Sequence, residues 1–412
     1  MSPRQLGRAV LCCLLLAGAG SLLPLQVAAA PEAALYDRIA ERLVLMRDVA
    51  AYKWLHDLPV ADPARERVVI ATAQADALRY QIRPDSAGRF FAVQIEAAKD
   101  VQQYWFDRWT REGGPASGPD LAGVLRPRLL ALGEEILELA ATQLAAHDEA
   151  LFSRTVATEG LSAPRMAELY AALVAVARYP SRLDQILDTG VVRVGTTGDY
   201  APFSLLSGDA DYQGADIDLA EDLAAALGVR AVFIQTSWPG LLDDLAAGRY
   251  DIAMSGVSRT VERARVGYLS APYFVGGKLP IARCEDKRRF TSLATIDQPD
   301  VRVIVNPGGT NEAFVDEHLR QAQKIVHADN RTIFEALAAG EGDVMITDSI
   351  EVVLQTRKVP GLCGTMGQTL TYQEKGYLLP RDVALKNFVD TWLSLRLADG
   401  TVDATLDAHL SR

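Results

Sequence analysis

The chain has 412 residues, of which 49% are hydrophobic and 23% charged, a composition typical of folded globular proteins and unlike that of disordered or fibrous chains. A formal net charge of −11 argues against nucleic acid or an anionic membrane surface as a partner, but leaves room for a locally basic pocket that binds small anions. The length is enough for two or three domains.

Residues 1–30 carry the three parts of a secretory signal peptide. Arg4 and Arg8 precede an apolar run that ends in Ala28-Ala29-Ala30. Cleavage at these small residues is favoured over retention as a membrane anchor, and no later run reaches the ~20 apolar residues that cross a bilayer. We therefore predict an exported, periplasmic protein that is free of the membrane after cleavage.

Two cysteines are left for the mature chain. Cys12 and Cys13 fall inside the signal segment, whereas Cys284 and Cys363 lie far beyond it. In an oxidising compartment two such thiols are more often a disulfide than a catalytic pair. We predict that they are joined, and loop-entropy theory gives this bond a stabilisation of ~4 kcal/mol.

The sequence has no signature of a metal or cofactor site. The histidines lack the spacing of metal ligands, and neither a phosphate loop nor a dinucleotide fingerprint is present. We therefore predict that no metal or cofactor is needed. The histidines are His56, His147, His318, His327 and His409.

Residues 31–178 are predicted to be all-α, because apolar residues recur at helical spacing without a strand-like alternation. In a first helix, over about 33–58, Arg42 and Lys53 are eleven residues apart and project from the same side. A second helix begins after Asp62-Pro63, which are suited to the N-cap and the first helical position.

A third predicted helix, over about 85–111, carries an unusual polar residue. Gln102 lies in the middle of an apolar seam, where an amide needs a hydrogen-bonding partner. The seam consists of Phe91, Ile95, Ala98, Trp105 and Trp109. After a loop rich in glycine and proline, helices are predicted again over about 120–146 and 163–178.

Several short segments of this helical part resemble the exported branch of the AroQ class of chorismate mutases. They are Ala40-Glu41-Arg42-Leu43, Tyr52-Lys53-Trp54, Leu58-Pro59-Val60, Asp62 with Arg65 and Glu66, and Gln94-Ile95-Glu96-Ala97-Ala98-Lys99 followed by Gln102. The resemblance implies an all-α mutase domain that isomerises chorismate to prephenate and is often dimeric, so that a homo-oligomer is expected.

The resemblance also implies roles for single residues. Arg42 and Arg65 would hold the substrate carboxylates, as arginine forks do. Lys53 and Gln102 would donate to the ether oxygen as its bond breaks, and Glu66 would bind the hydroxyl.

One further carboxylate-binding arginine is expected from the same chain in this branch. Arg126 is the best candidate, with Arg128 as the alternative. Ala98 departs from the hydroxyl residue often found at its position, which removes a minor contact.

After a predicted linker over residues 179–183, short strand-like runs alternate with helical stretches. This alternation predicts a parallel α/β architecture for residues 184–412, as one large domain or two lobes. One strand, over residues 301–305, ends in a glycine turn followed by a helix. Free backbone N–H groups there, surrounded by Asn306, Thr310 and Asn311, are suited to binding a carboxylate.

The α/β half resembles a type II periplasmic solute-binding protein. The matching segments are Gly198-Asp199-Tyr200-Ala201-Pro202-Phe203, Gly214-Ala215-Asp216-Ile217-Asp218-Leu219, Asp251-Ile252-Ala253-Met254-Ser255-Gly256 and Thr260-Val261-Glu262-Arg263. This implies two lobes, of about 184–280 with 372–412 and of 281–371. It also implies that Arg263 clamps a carboxylate, assisted near Ser255 and Ser258.

Further segments resemble cyclohexadienyl dehydratase, which has the same fold. They are Asn306-Pro307-Gly308-Gly309-Thr310-Asn311-Glu312, residues 236–239 with Trp238, Lys278, Thr347-Asp348-Ser349-Ile350-Glu351 and residues 377–382. Loss of a ring hydroxyl near neutral pH needs a positioned acid, and the resemblance gives this role to Glu351.

The remaining site residues implied by the α/β resemblances bind substrate: Asp199, Trp238, Ser255, Ser258, Arg263, Lys278, Asn306, Thr310, Asn311 and Asp348. Together the halves predict an exported enzyme that converts chorismate to prephenate and then prephenate to phenylpyruvate, or arogenate to phenylalanine. The alternative is an α/β half that only binds an amino acid or senses phenylalanine.

Overall fold

A computed structural model describes residues 31–142, 147–208 and 211–411. The predicted signal peptide, with Cys12 and Cys13, lies outside the described residues. Within the described ranges, no helix is both long and apolar enough to span a bilayer.

The first half is built from helices, as predicted. They are α1 (Pro31–Val44), α2 (Met46–Leu55), α3 (Pro63–Ala77), α4 (Pro84–Glu112), α5 (Arg126–Thr142), α6 (Glu149–Val156) and α7 (Ala163–Val174), with a 3₁₀ turn at Leu78–Tyr80 and a π turn at Leu121–Leu125. The single helix predicted over 33–58 is in fact two helices separated at Leu45, and α6 was not predicted.

Helix α3 begins as its sequence predicted. Asp62 is the N-cap, its Oδ1 accepts the Arg65 backbone N–H at 3.1 Å, and Pro63 occupies the first helical position. The long helix α4 packs against α2, α3 and α7 and buries Phe91, Trp105 and Trp109. These helices enclose the core beside which the first cavity lies.

The second half contains ten helices within the described residues. They are α8 (Arg182–Thr189), α9 (Ala215–Leu227), α10 (Leu241–Ala246), α11 (Val261–Val266), α12 (Leu293–Ile296), α13 (Thr310–His318), α14 (Ile333–Ala338), α15 (Ser349–Lys358), α16 (Val383–Ala398) and α17 (Thr401–Leu410).

The strands between them are short. They are β1 (Val191–Thr196), β2 (Asp199–Tyr200), β3 (Ser204–Ser207), β4 (Asp211–Gln213), β5 (Arg230–Gln235), β6 (Ile252–Ala253), β7 (Tyr268–Leu269), β8 (Phe274–Gly276), β9 (Lys278–Arg283), β10 (Arg302–Val305), β11 (Gln323–Val326), β12 (Val344–Asp348), β13 (Leu362–Gly364), β14 (Gln373–Lys375) and β15 (Leu378–Leu379).

Two five-stranded sheets form two lobes. The first has the order β5-β1-β6-β15-β7 and the second the order β11-β10-β12-β9-β13. The prediction of a parallel architecture was wrong in part, because β15 is antiparallel to β6 and β7, and β9 is antiparallel to β12 and β13. The chain passes from one lobe to the other shortly before β9 and again shortly before β15. Each of these strands therefore runs opposite to the parallel strands of the sheet that it joins.

The lobes are connected by two paired strands, β8 and β14, in which Gly276 lies opposite Gln373. Strand β9 belongs wholly to the second sheet, so the first crossing lies at Gly276 and Gly277, a few residues before the boundary expected at 280. A Cβ on Gly277 would lie 1.8 Å from the Thr371 carbonyl oxygen. Only glycine therefore fits where the two connections pass each other.

The helical half contacts the first lobe through what we call the domain junction: Leu78 and Arg79 on one side, Arg182, Gln185 and Gly248 on the other. Arg182 Nη1 and Gln185 Nε2 each donate to the Leu78 carbonyl at 3.0 Å. The Arg79 carbonyl packs against Gly248, where a Cβ would approach it to 2.5 Å. The two halves are thus held by specific polar contacts.

The segment predicted as a linker, residues 179–183, is part of this packing. Tyr179 is buried, and Ser181 is the N-cap of α8, its Oγ accepting the Asp184 backbone N–H at 3.0 Å. In the second lobe, Cys284 and Cys363 form a disulfide with a Cα–Cα distance of 4.9 Å, which joins the end of β9 to β13.

Candidate active sites

A cavity of about 140 Å³ lies among α1 to α5 in the helical half. Apolar side chains, including Met46, Val49 and Leu121, form much of its wall. All six residues predicted for the mutase site line it: Arg42, Lys53, Arg65, Glu66, Gln102 and Arg126.

The cations of this first cavity are partly desolvated. Arg42 is 8% exposed; burial lowers its pKa to about 10, and its Nη1 donates to the Leu129 carbonyl at 3.1 Å. Burial also lowers the pKa of Lys53, whose Nζ donates to the Val60 carbonyl at 2.6 Å. Since neither forms an ion pair within 4 Å among the described residues, both can bind an anion.

Gln102 lies in the wall of this cavity and is 4% exposed. Its Nε2 donates to the Ala98 carbonyl at 3.1 Å and to Met46 Sδ at 3.6 Å, while its Oε1 is buried without a hydrogen-bonding partner. The unpaired atom is an acceptor, so the donation expected of Gln102 requires its Nε2 to turn from the Ala98 carbonyl to the ligand.

The two candidates for the further carboxylate-binding arginine are placed differently in the structure. Arg126 lines the cavity, whereas Arg128 donates to Glu41 at 2.6 Å and to Glu135 at 2.8 Å and is not among the lining residues. Arg126 is therefore better placed to complete a site.

Lys99 was part of the sequence pattern but was not predicted as a site residue. It also lines the cavity, and its Nζ lies 3.5 Å from Glu66 Oε2. Glu66 Oε1 accepts the Asp62 backbone N–H at 3.0 Å, which fixes the carboxylate at the start of α3. Its orientation is thus determined from both sides.

A second cavity, of about 20 Å³, lies between the two lobes, room for no more than one or two water molecules. Its wall is polar and comes from both lobes. The lining residues are Tyr200, Trp238, Gly256, Ser258, Arg263, Asn306, Gly309, Thr310, Asn311, Asn330, Asp348 and Lys375. The lobes must separate to admit a ring-sized ligand.

Asp348, at the end of β12, is the centre of this second site. Its Oδ1 accepts Lys278 Nζ at 2.7 Å, and its Oδ2 accepts Lys375 Nζ at 2.5 Å and the Tyr200 hydroxyl. Burial by itself would raise the pKa of Asp348, but the two lysines outweigh it and hold the pKa well below its usual range. The carboxylate is ionised and fully engaged.

Lys278, at the start of β9, is completely buried and lies behind the cavity wall. Its Nζ donates to Thr310 Oγ1 at 2.8 Å as well as to Asn311 Oδ1. Asn311 Nδ2 in turn donates to Asn306 Oδ1 at 3.2 Å. The lysine therefore organises the polar residues that follow β10.

The turn between β10 and α13 brings Asn306, Thr310 and Asn311 to the cavity together. The expectation that its backbone N–H groups are free needs correction, because the Gly308 N–H donates to Glu312 Oε2 at 2.7 Å. The Glu312 carboxylate already accepts the Gly308 N–H. A ligand at this turn would therefore be bound by side chains more than by backbone N–H groups.

Glu351, in the first turn of α15, is 2% exposed and does not itself line the cavity. Its Oε2 accepts a hydrogen bond from the Thr347 hydroxyl. Burial raises the pKa of Glu351 to about 8, which outweighs the opposite effects of Thr347 and the lysines. The residue therefore carries a proton at neutral pH and can act as an acid.

On the first lobe, Arg263 faces the cavity beneath Trp238. Its Nη1 donates to the Ser258 carbonyl at 2.7 Å, and its guanidinium lies 5.9 Å from the Trp238 ring centre. Burial lowers the pKa of Arg263. All three residues line the cavity; that Arg263 clamps a carboxylate stays a prediction.

Besides Lys278 and Glu351, two more predicted residues do not line the cavity, Ser255 and Asp199. The Ser255 hydroxyl is buried and hydrogen-bonded to Thr197, with an Oγ–Oγ1 distance of 2.8 Å. Asp199 Oδ1 accepts Trp238 Nε1 at 3.1 Å. Asp199 therefore supports Trp238 from behind the cavity wall.

The sequence reasoning missed three lining residues with polar side chains, Tyr200, Asn330 and Lys375, besides the glycines Gly256 and Gly309. Asn330 Nδ2 donates across the cleft to the Asp199 carbonyl at 2.8 Å, and its Oδ1 is buried and unpaired. Tyr200 was within a recognised segment, but Asn330 and Lys375 lie in a loop and in a three-residue strand without a distinctive pattern. Among the described residues no cluster of three or more His, Cys, Asp or Glu could hold a metal ion.

Comparison with known families covers both halves. Residues 192–411 match bacterial extracellular solute-binding proteins, family 3. Residues 32–103 match chorismate mutase type II.

Individual relatives match the α/β half. The chain is 50% identical over 231 residues to the cyclohexadienyl dehydratase of Pseudomonas aeruginosa, a match that covers 56% of this chain and 86% of that protein. It is 25% identical over 224 residues to the L-cystine-binding protein TcyJ of Escherichia coli K12, covering 54% of this chain and 83% of TcyJ.

A solved structure shares the fold. It is an ancestral amino acid-binding protein, a precursor of cyclohexadienyl dehydratase, with a TM-score of 0.52, 33% sequence identity, and coverage of 56% of this chain and 99% of that chain. The chain thus belongs to the family-3 bacterial extracellular solute-binding proteins and carries a chorismate mutase type II region ahead of that domain.

Proposed function

We propose that the chain is a bifunctional enzyme of phenylalanine biosynthesis. The helical half converts chorismate to prephenate, and the α/β half converts prephenate to phenylpyruvate, water and carbon dioxide, or arogenate to phenylalanine. The observation that carries this proposal is the pair of cationic cavities in one chain, the second backed by a buried, protonated glutamic acid. The product of the first reaction is the substrate of the second.

The first cavity is suited to a rearrangement without an acid, base or nucleophile. Chorismate is a dianion, and its conversion needs a compressed conformer and stabilisation of charge as the ether bond breaks. Arg42, Arg65 and Arg126 would hold the carboxylates. Lys53 and Gln102 would donate to the ether oxygen.

The second site is suited to an elimination. Glu351 would give its proton to the leaving hydroxyl, so that the C–O bond breaks and water leaves. The electron pair of the C–CO₂⁻ bond then enters the ring as carbon dioxide departs, and the ring becomes aromatic. Glu351 afterwards regains a proton from solvent.

The residues that hold the substrate ring must place its leaving hydroxyl beside Glu351. Arg263 and Lys375 line the cavity as cations, and Asn306, Thr310 and Asn311 offer neutral hydrogen-bonding groups. We assign carboxylate binding to the cations and orientation of the ring to the neutral group.

Export belongs to the same proposal. The family is extracellular by description, and we assign the periplasm as the compartment and residues 28–30 as the cleavage site. N-terminal sequencing of the secreted protein tests this. The homo-oligomer implied by the mutase resemblance is tested by light scattering on the full-length protein.

Two variants separate the reactions in one assay at neutral pH, with phenylpyruvate followed by its ultraviolet absorption. Lys53→Ala should lose turnover of chorismate but still convert added prephenate. Glu351→Gln should accumulate prephenate from chorismate. If the unmodified chain makes no phenylpyruvate from prephenate, the α/β half is a binding module; inhibition of the mutase by phenylalanine would then identify it as a sensor.

A further inference from the structure

Thr347 is a polar residue of the second lobe that the proposed mechanism does not use. It lies in β12, is fully buried and does not line the second cavity. Its hydroxyl contacts two side chains, those of Asn311 and Glu351. Thr347 therefore connects a residue of the cavity wall to the proposed acid.

The direction of these hydrogen bonds is determined by Lys278. Its ammonium group donates to Thr310, Asn311 and Asp348. Since an ammonium group cannot accept, the atom of the Asn311 amide that faces it is the acceptor Oδ1. Asn311 Nδ2 then lies on the other side and donates to Asn306 Oδ1 and to Thr347 Oγ1, both at 3.2 Å.

The Thr347 hydroxyl hydrogen has one possible acceptor. Asn311 Nδ2 is a donor, so the remaining hydrogen-bonding partner of the hydroxyl among the described residues is Glu351 Oε2. If Glu351 donated a proton from Oε2, the Thr347 O–H would be buried without an acceptor, which is costly. Thr347 therefore donates, and Glu351 Oε2 accepts.

The proton of Glu351 is then left on the other carboxyl oxygen. Glu351 is neutral at pH 7, because burial raises its pKa to about 8. Within the part of the chain that the structure describes, Oε1 has no hydrogen-bonding partner. A proton on Oε1 is therefore available to a leaving group.

We propose that Thr347 is a positioning residue of the second site, and that with Asn311 and Lys278 it fixes the proton of Glu351 on Oε1. This inference rests on the proposed dehydratase function. The proton passes from Oε1 to the leaving hydroxyl, and the carboxylate that remains is stabilised by the Thr347 hydroxyl at Oε2. Thr347 acts through Glu351 and needs no contact with the substrate.

The same hydrogen bond affects the pKa of Glu351. Burial has the largest effect and raises the pKa, whereas Thr347 lowers it, because a donor stabilises the ionised form more than the neutral acid. Loss of the hydroxyl should therefore raise the pKa further. The other titratable groups whose charges act together with that of Glu351 are Asp348, Lys375, Lys278 and Tyr200.

The test measures dehydration of prephenate by the full-length chain and by Thr347→Val, which keeps a β-branched side chain in a strand. kcat should fall roughly ten- to a hundredfold, because the proton is no longer held on one oxygen. KM should change little, because Thr347 does not line the cavity. The decrease of kcat/KM at high pH should move upward by about half to one pH unit. Thr347→Ser keeps the hydroxyl and should restore both properties.

Thr365→Val is the matched control. Thr365 is a buried threonine of the same lobe, but its hydroxyl donates to the Pro280 carbonyl at 3.5 Å, so kcat and the pH profile should not change. An unchanged kcat or pH profile in Thr347→Val, or no recovery in Thr347→Ser, would overturn the inference. If the unmodified chain does not convert prephenate, the dehydratase function is wrong, and the proton is located by a second measurement.

Infrared difference spectra locate the proton without turnover. Below the pKa of Glu351, the C=O band of its neutral carboxyl group is the band that Glu351→Gln lacks. In Thr347→Val this band should move to higher wavenumber, because the carbonyl oxygen Oε2 loses its hydrogen-bond donor. Thr347→Ala should give the same shift and replaces the valine variant if that does not fold. A band that does not move, or the absence of a band, would overturn the inference.

Discussion

Replacing Glu351 with glutamine should abolish dehydration and at the same time stabilise the α/β half. Burial raises the pKa of this side chain to about 8 from its ordinary value of 4.5. Because the folded-state pKa lies above the unfolded one, the group's contribution to stability is complete below pH 4.5 and is lost as the pH rises toward 8.

The size of the effect follows from this difference. Each pH unit between the two pKa values changes the free energy of unfolding by about 1.4 kcal/mol, so that at pH 7 the glutamic acid costs about 3 kcal/mol relative to a neutral group of the same shape. Glutamine is such a group, and it can still accept the hydrogen bond from Thr347. Glu351→Gln should therefore be about 3 kcal/mol more stable at pH 7 and no more stable at pH 4.

The assay is urea unfolding of both proteins at pH 4, 7 and 9, read in the transition of the α/β half. Dehydratase activity of the unmodified chain is followed over the same range and should fall above pH 8 as the acid ionises. A stability difference independent of pH, or greatest at pH 4, would show that Glu351 is not a neutral buried acid and would refute the reasoning.

Three further predictions concern other parts of the chain. Arg126→Ala should lower mutase kcat/KM by roughly a hundredfold, the value of a charged hydrogen bond, while Arg128→Ala changes it less than about threefold because its partners are surface glutamates; the reverse order would exchange their roles. Asn330→Ala should raise KM for prephenate about three- to tenfold, because it removes a hydrogen bond between the two lobes, and should leave mutase kinetics unchanged. Steady-state assays of both reactions measure this. An unaltered KM would show that this hydrogen bond does not help to hold the lobes closed on the substrate. Replacing Cys284 and Cys363 together with serine should lower the free energy of unfolding of the α/β half by ~4 kcal/mol, and equal urea midpoints for both proteins would contradict this.

The residues predicted for the helical site line one cavity, and two of the signals behind that prediction can be read from the local sequence. An amide within an apolar seam, as at Gln102, is costly unless it has a purpose, and helical periodicity determines which side Arg42 and Lys53 share. The start of α3 was likewise predicted from Asp62 and Pro63. Each of these predictions depends only on residues that are close together in the sequence.

The α/β site was predicted less completely because its contacts join distant segments. Lys375 reaches Asp348 from a strand of three residues, too short for any periodicity, and Asn330 reaches Asp199 from a loop on the other lobe. Strand direction was missed for a related reason. Nothing in the residues of β9 or β15 indicates whether the chain has crossed between lobes before forming them.

The domain junction has a consequence for protein engineering. Since Arg182 and Gln185 both donate to the Leu78 carbonyl, the helical half is held to the first lobe, and we expect the second lobe to move relative to both when the cleft opens. A cut at residues 179–183 would therefore divide a packed unit and leave two polar side chains without their shared acceptor. A modular exchange would do better to keep the helical half and the first lobe together, because Ile186 of α8 is part of the first-lobe core, and to exchange the second lobe at Gly277 and Thr371, where the chain passes between the lobes.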